Sequence, residues 1–242
     1  MLRKLHSFLI TSPLIILATI VMGTFSFVAS FFDSTGRSQH AMARFWSRIL
    51  LAVSSVHVIV EGIEKLDPKK GYVLVANHAS YMDIPVIVAC VPLQFRFFAK
   101  QDLFRIPFMG THLNRAGHIP VVRGDPRASL RSMGEGAKLI REKKVSVLLF
   151  PEGGRSIEHL GEFKEGTAYI AIKAGVPAVP IGLEGMRAIM KMHTRVIYSG
   201  TVHLRIGDPI ETSHMTIRDR EALTQELREQ IAILCGETKA AD

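Results

Sequence analysis

The sequence predicts an α/β fold with a mixed, largely parallel central sheet flanked by helices, preceded by an N-terminal membrane-embedded two-helix region. Short apolar runs recur along the chain, and several end abruptly in polar residues, which is typical of buried strands that deliver side chains to one edge of a sheet. Segments with apolar residues at helical spacing lie between these runs. The 242 residues suffice for one domain with a sizeable core. We assign residues 1–56 to membrane-anchoring helices and residues 57–242 to the α/β domain.

Residues 7–32 form a stretch of 26 residues without a charged side chain, long enough for a helix that crosses a bilayer. A cleaved signal peptide is the alternative, but its apolar region is usually only about 7 to 15 residues long. A turn is predicted at residues 33–36, followed by an amphipathic helix at residues 41–56. Two arrangements stay open: a spanning helix followed by a surface helix, or a helical hairpin that dips into one leaflet. In the hairpin, five basic residues stay at the headgroups: Arg3, Lys4, Arg37, Arg44 and Arg48.

Six apolar runs predict strands of the sheet, at residues 56–60, 72–78, 95–99, 117–123, 145–150 and 177–183. Turn-forming residues, among them Asp67-Pro68, separate the first two runs. A hairpin is expected further along, with residues 196–198 and 201–206 pairing around Ser199-Gly200. Helical spacing of apolar residues predicts helices at residues 84–91, 126–144, 166–174 and 217–234.

The chain is basic, with a formal net charge of +8, which indicates an anionic partner such as a phosphate-bearing substrate, an acidic lipid surface or nucleic acid. Residues 95–144 hold eleven basic and four acidic side chains, so the excess lies in the middle of the chain. A nucleic acid is the least favoured partner, because this region lacks interleaved aromatic residues and a recognised binding module. The two cysteines, Cys90 and Cys235, are far apart, which argues against a disulfide framework or a zinc site.

The polar cluster that ends the second predicted strand contains His78 and Asp83, five residues apart. A strand-to-helix turn can fold the carboxylate back to one ring nitrogen, which leaves the other nitrogen free to accept a proton from an alcohol. General-base assistance of this kind typically contributes about 10²- to 10⁴-fold in rate. The alternative is structural: His78 and Asp83 satisfy each other within a turn, and Asp83 caps the helix that follows.

Cations follow other predicted strands and could bind one anionic group together. Glu152-Gly-Gly-Arg155 places backbone amides beside a guanidinium that can bind phosphate through two hydrogen bonds. Lys100 and Arg123 each end an apolar run as well. If the strands are parallel, these side chains lie on the edge of the sheet where His78 emerges, and their convergence is more specific than any one of them.

Four segments, in this order, resemble the four motifs of the 1-acylglycerol-3-phosphate acyltransferase family. They read NHASYMD at residues 77–83, GHIPVVR at 117–123, FPEGGRS at 150–156 and VPAVP at 176–180. The resemblance covers roughly residues 66–183 and implies a glycerol-phosphate acyltransferase-like fold. Two positions depart from the family pattern: Gly154 stands where the family usually has Thr, and Val122 where a polar residue is common.

The resemblance implies transfer of a fatty acyl group from acyl-CoA or acyl carrier protein to the free hydroxyl of lysophosphatidic acid, which gives phosphatidic acid for phospholipid biosynthesis. His78 is then the general base and Asp83 its orienting partner. The acceptor site is formed by five further residues: Glu152, Gly153 and Arg155, with Lys100 and Arg123 favouring its phosphate. Neither a metal nor a bound cofactor is implied, and nucleic acid is not an expected partner.

The resemblance also implies membrane association, and it favours the leaflet-embedded hairpin over a true span, on the cytoplasmic face of a membrane and, in a bacterium, of the inner membrane. An acyltransferase with another acceptor, such as a different lysolipid or an acylated amino acid, is the nearest alternative. An alternative of another class is a non-catalytic membrane protein that binds lipid.

Overall fold

A mixed seven-stranded sheet forms the centre of the described chain, in the order β1-β7-β6-β2-β5-β3-β4. The computed structural model describes residues 5–106, 109–122, 126–191, 194 and 196–237. The strands are β1 Val56–Glu61, β2 Val73–Ala76, β3 Phe95–Lys100, β4 Ile119–Val121, β5 Ser146–Leu149, β6 Ala178–Glu184 and β7 Gly200–Ile206. β6 and β7 are antiparallel, and every other neighbouring pair is parallel. The predicted mixed, largely parallel sheet is confirmed.

The predicted hairpin around Ser199-Gly200 is wrong. β7 lies between β1 and β6, so both of its edges are already paired and residues 196–198 have no edge to join. The backbone N–H of Tyr198 donates instead to the carbonyl of Ile189, at 2.8 Å. This segment therefore closes a loop in front of β7.

Helices cover both faces of the sheet. They are α1 Ser12–Ala29, α2 Arg37–Val53, α3 Asp83–Cys90, α4 Met109–Arg115, α5 Pro126–Lys143, α6 Gly166–Ala174, α7 Met186–Ile189 and α8 Arg220–Leu234. β2 is fully buried, with Leu74 and Ala76 in the core that includes α3, and Val73 and Val75 in the core that includes α5, α6 and α8. A strand buried on both faces reads as a continuous apolar run, which is why β2 was predictable.

α1 and α2 pack together as a helical hairpin at the N-terminus. The turn between them is held by Asp33, whose carboxylate accepts the backbone N–H groups of Thr35 and Ser38, each at 2.7 Å. The indole N–H of Trp46 on α2 donates to the hydroxyl of Thr19 on α1, at 3.0 Å. Most of the apolar side chains of α1 face outwards, and the helix at Ser7–Ala29 is long and apolar enough to cross a membrane by length and composition.

Three arginines attach this hairpin to the α/β domain. Arg44 on α2 donates to the carbonyls at the end of α3, those of Val88, Val91 and Leu93, at 2.9 to 3.2 Å. Arg96 is buried and donates to the Thr35 carbonyl at 2.8 Å, while Arg115 donates to the Ser30 carbonyl at 3.1 Å. A helix C-terminus thus supplies the acceptors for the Arg44 guanidinium, and the position of Arg44 relative to the lipid headgroups stays a prediction.

Two histidines are enclosed where the hairpin meets the domain. Burial, together with the nearby charge of Arg44 and Arg96, lowers the pKa of His40 to about 3. Burial and the charge of Arg96 lower the pKa of His118 to about 3 as well, and its Nδ1 accepts the backbone N–H of Phe97 at 3.0 Å. Both imidazoles are therefore neutral at neutral pH. Protonating either one would place a positive charge near the guanidinium of Arg96.

Candidate active site

The carboxyl ends of the parallel strands β2, β5 and β6 meet at one edge of the sheet, and the polar motif residues emerge there. His78 comes two residues after the end of β2, and Glu152 comes three residues after the end of the neighbouring strand β5. Asn77 fixes this edge, since its amide exchanges hydrogen bonds of 2.8 and 3.0 Å with the backbone of Leu183 on β6. In open α/β sheets such an edge is the usual place for a ligand.

His78 and Asp83 form a hydrogen-bonded pair, with 2.7 Å between Nδ1 and Oδ2. The same carboxylate oxygen accepts the backbone N–H groups of Ala79 and Ser80, at 2.8 and 2.9 Å. Because an ionised carboxylate only accepts hydrogen bonds, Nδ1 carries the proton in this pair. The Asp83 side chain is completely buried, so its charge acts on the imidazole without screening by water. The turn thus holds the ring in one tautomer.

The tautomer leaves Nε2 of His78 as the basic nitrogen. Nε2 has no hydrogen-bond partner within the described residues, and the side chain is 11% exposed, so one edge of the ring is open to a ligand. The ring stacks on Phe150, with 4.0 Å between the centroids and 18° between the planes. A neutral, oriented imidazole with a free nitrogen can take a proton from a hydroxyl group.

Glu152 binds the loops around His78. Its Oε1 accepts the backbone N–H of His78 at 2.6 Å, and its Oε2 accepts the N–H of Gly161 at 2.9 Å and the hydroxyl of Ser156. Ser156 N–H in turn donates to the His78 carbonyl at 2.8 Å. Both oxygens are engaged with protein groups, so the carboxylate shapes the site by holding two loops together.

A cation that the sequence argument missed lies over the Gly153 turn. Gly153 adopts φ +72°, a conformation that favours glycine, and a Cβ built there would lie 2.7 Å from the Lys164 ammonium. In the part of the chain that the structure describes, no carboxylate is within ion-pair distance of this ammonium. Lys164 lies in a loop and does not follow a predicted strand, so its position in the sequence did not indicate that it lies near His78.

Arg155 is positioned by an aromatic side chain from the His78 loop. Its guanidinium lies 3.8 Å from the centroid of the Tyr81 ring, a cation–π contact. Its Nε is buried and without a partner among the described residues. A planar guanidinium that is fixed by stacking is suited to bind an anion.

The other two predicted phosphate contacts differ in their placement. Lys100 ends β3, which is separated from β2 by β5 at the same edge, and its ammonium pairs with Asp102 at 2.5 Å. Its side chain is 54% exposed, so this pair is exchangeable with a ligand. Arg123 lies outside the described residues, and its role stays a prediction.

Neither Ser80 nor Cys90 is placed to act as a nucleophile beside His78. The Ser80 hydroxyl donates to the Met190 carbonyl at 3.1 Å and accepts the Met82 N–H at 3.2 Å. Burial raises the pKa of the Cys90 thiol, which lies at the far end of α3 from Asp83. Among the residues that the structure describes, no group of three or more His, Cys, Asp or Glu side chains could hold a metal ion.

Comparisons with known proteins show the family of this chain. A sequence profile of the family described as Acyltransferase matches residues 57–184. The chloroplast 1-acyl-sn-glycerol-3-phosphate acyltransferase LPAT1 of Arabidopsis thaliana is 33% identical over 199 residues, which are 81% of this chain and 55% of the relative. The chloroplast 1-acyl-sn-glycerol-3-phosphate acyltransferase BAT2 of Brassica napus is 32% identical over 90% of this chain and 62% of the relative. The chain thus spans just over half the length of these curated relatives.

A solved structure is similar over nearly its whole length. The crystal structure of the 1-acyl-sn-glycerophosphate acyltransferase PlsC from Thermotoga maritima superposes with a TM-score of 0.80 at 25% identity. The superposition covers 99% of both chains, including the N-terminal hairpin.

Proposed function

The chain belongs to the acyltransferase family, and from this premise we propose that it transfers a fatty acyl group from an acyl thioester to the free hydroxyl of lysophosphatidic acid, giving phosphatidic acid. The donor is acyl-CoA or acyl carrier protein. The observation that carries the proposal is the 2.7 Å His78–Asp83 pair at the edge of the sheet, in which Nε2 of His78 has no partner among the described residues. Arg155, stacked on Tyr81 of the same loop, and Lys164 over the Gly153 turn support a phosphate site beside it. The names of the two chloroplast relatives support the choice of acceptor.

His78 acts as the general base in this reaction. Its Nε2 takes the proton of the acceptor hydroxyl while the oxygen attacks the thioester carbonyl, so a C–O bond forms and the C–S bond breaks. The thiolate that leaves then recovers the proton from the imidazolium. Asp83 stabilises the imidazolium between these two steps through the Nδ1 hydrogen bond. A thioester has a good leaving group, so no serine or cysteine nucleophile is needed.

The phosphate of the acceptor binds the cations around the Gly153 turn. Arg155 supplies the guanidinium that stacks on Tyr81, and Lys164 supplies an ammonium over the turn. Lys100 extends the positive charge along the edge of the sheet, and Arg123, which lies outside the described residues, is predicted to bind the same phosphate. Charge-assisted hydrogen bonds to phosphate are about twice as strong as neutral ones, so this group fixes the position of the acceptor.

The N-terminal hairpin anchors the enzyme in one leaflet, on the cytoplasmic face of a membrane and, in a bacterium, of the inner membrane. Exposed apolar side chains along α1 support this placement, and the packing of α2 on the domain favours a hairpin over a span. Membrane anchoring keeps both lipid substrates near His78, which avoids extracting about 0.8 kcal/mol per buried CH₂ group from the bilayer.

The proposal is tested by thiol release from an acyl thioester. The purified full chain, given lysophosphatidic acid, should release free thiol, and His78→Ala should abolish the release. His57→Ala, an exposed histidine on β1, is the matched control and should retain activity. Full activity of His78→Ala would disprove the assigned base, and lipid binding without turnover on any acceptor would favour the non-catalytic alternative.

Open space at Gly154 is the reason to assay acceptors other than lysophosphatidic acid as well. A side chain at Gly154, where the family usually has Thr, would meet nothing within 4 Å, so the site has open space there. A panel of acceptors with and without a phosphate monoester therefore accompanies the assay. A preference for a phosphate-free acceptor would contradict the roles of Arg155 and Lys164.

A further inference from the structure

A cavity of about 340 Å³, lined by both hydroxyl-bearing and apolar groups, lies where the N-terminal helix meets the loop in front of β7. Five hydroxyl side chains and one imidazole contribute to its lining: His6, Thr11, Ser54, Ser55, Tyr198 and Ser199. None of the described lining residues carries an Asp, Glu, Lys or Arg side chain. The cavity is thus rich in uncharged hydrogen-bonding groups.

The cavity opens at the same edge of the sheet as His78 but belongs to different strands. β7 runs antiparallel to β6, so the beginnings of β1 and β7 lie at the edge where β2 and β6 end. Ser54 and Ser55 precede β1, and Ser199 precedes β7. The cavity therefore lies at the β1–β7 side of this edge, and β6 lies between it and β2, the strand that leads to His78.

The π-helical turn that precedes α1 places polar side chains beside the cavity. Ser7–Thr11 forms a wider π-helical turn, a rare feature that is frequent at functional sites. Ser7 and Thr11 are buried in this turn although the helix that continues from it is apolar and exposed. The Ser7 hydroxyl accepts the Ile197 N–H at 3.1 Å, and the Thr11 hydroxyl lies 3.4 Å from His6 Nδ1.

The buried hydroxyl of Ser54 lacks a hydrogen-bond partner among the described residues, which a ligand in the cavity could supply. Its side chain is 5% exposed, and its Oγ has no hydrogen-bond partner among the described residues. A buried hydroxyl without a partner costs free energy, which a ligand can remove by supplying that partner. A serine hydroxyl changes direction by rotation between staggered positions, so Ser54 can address a group inside the cavity.

We propose that this cavity binds the uncharged, hydroxyl-bearing headgroup of a membrane lipid. The described lining residues offer hydroxyl groups and no charged side chain, which suits a glycerol or sugar headgroup better than a phosphate. The exposed apolar face of α1 continues from the cavity and gives the acyl chains of the lipid a path into the bilayer. The proposal rests on the membrane association proposed above, and it is independent of the acyl-transfer reaction.

The test measures which lipid the full chain retains. The protein is reconstituted in nanodiscs of phosphatidylcholine, whose headgroup has no hydroxyl, with or without digalactosyldiacylglycerol, whose headgroup is uncharged and rich in hydroxyls. Retained lipid is then counted by native mass spectrometry. Thr11→Val and Ser54→Ala remove cavity hydroxyls, while Thr24→Val makes the matched change on the same helix, where the hydroxyl bonds the Ile20 carbonyl at 2.8 Å.

The wild type should retain the galactolipid over phosphatidylcholine, and each cavity variant should lower that retention about fivefold, the loss expected for one hydrogen bond. Thr24→Val and His78→Ala should retain it like the wild type. Ser54→Ala should unfold at the same temperature as the wild type or higher, because it removes an unpartnered hydroxyl. Equal retention of both lipids, unchanged retention in either cavity variant, or an equal loss in Thr24→Val would overturn the proposal. Flotation with phosphatidylcholine vesicles reports membrane association separately.

Discussion

Replacing Asp83 with Asn tests whether the charge of this side chain, beyond its shape, supports the base. Oδ2 accepts three N–H groups at once, from the His78 ring and from two backbone amides. An asparagine with its oxygen in that place keeps all three hydrogen bonds and the tautomer of the ring. Its NH₂ group then takes the place of Oδ1, which is buried and without a partner in the described chain. The substitution therefore removes the negative charge while preserving the geometry.

The expected loss of rate follows from the hydrogen bond between His78 Nδ1 and residue 83, which is no longer made to a charged group. A hydrogen bond to a charged group contributes about 1.5–3 kcal/mol, and this amount corresponds to about 10- to 150-fold in rate if it stabilises the imidazolium in the transition state. The whole contribution of a general base is about 10²- to 10⁴-fold. We expect Asp83→Asn to lower kcat by about 100-fold, with a smaller effect than His78→Ala, and with KM for the acceptor nearly unchanged.

Thiol release from the acyl thioester measures the effect, together with the double variant of His78→Ala and Asp83→Asn. Because Asp83 acts through the imidazole, the double variant should be no slower than His78→Ala alone. Asp67→Asn is the matched control, since among the described residues its carboxylate accepts only the Lys69 N–H, in a turn at the other end of β2. Activity of Asp83→Asn within about threefold of the wild type, or additive losses in the double variant, would refute the reasoning.

Three further predictions address the junction and the acceptor site. Gly36→Ala should lower the free energy of unfolding by about 2 kcal/mol or more, because φ is +74° and a Cβ would lie 2.6 Å from a carbonyl oxygen. Gly23→Ala, where a Cβ meets nothing within 4 Å, should be neutral or stabilising in the same denaturation experiment, and similar losses in both variants would contradict the argument. His40 has a folded pKa of about 3 against an ordinary value of 6.5, so its contribution to stability is complete above pH 6.5 and falls as the pH is lowered towards 3. That loss is about 2 kcal/mol at pH 5, and His40→Gln should flatten the pH dependence by that amount; an equally steep profile would show that other groups cause it. Lys164→Met should raise KM for lysophosphatidic acid about tenfold without raising it for a phosphate-free acceptor, whereas Lys173→Met should change neither; a fall in kcat alone would contradict a binding role.

The features that could be predicted depend on short stretches of sequence. β2 reads as a strand because it is buried on both faces, and His78 and Asp83 are close because one turn joins them. The contacts that could not be predicted join distant segments. Arg44 binds carbonyls that lie 44 to 49 positions further along the chain, and Glu152 binds a backbone group 74 positions before it. Composition identifies such side chains as charged, but only the fold decides whether a ligand or a loop is their partner.

The Arg44 contacts connect the N-terminal hairpin to the His78 site through α3. α3 begins at Asp83 and ends beside the carbonyls that Arg44 binds, and its eight residues span only about 12 Å. One short, buried helix therefore connects the anchoring hairpin to the carboxylate that orients His78. Under the leaflet placement proposed above, this short connection makes the bilayer position of α1 and α2 set the height at which Nε2 meets the hydroxyl of the acceptor. Loosening Arg44 should then disturb the delivery of the acceptor before it disturbs the His78–Asp83 geometry, because three backbone and ring N–H groups hold Asp83 independently of Arg44.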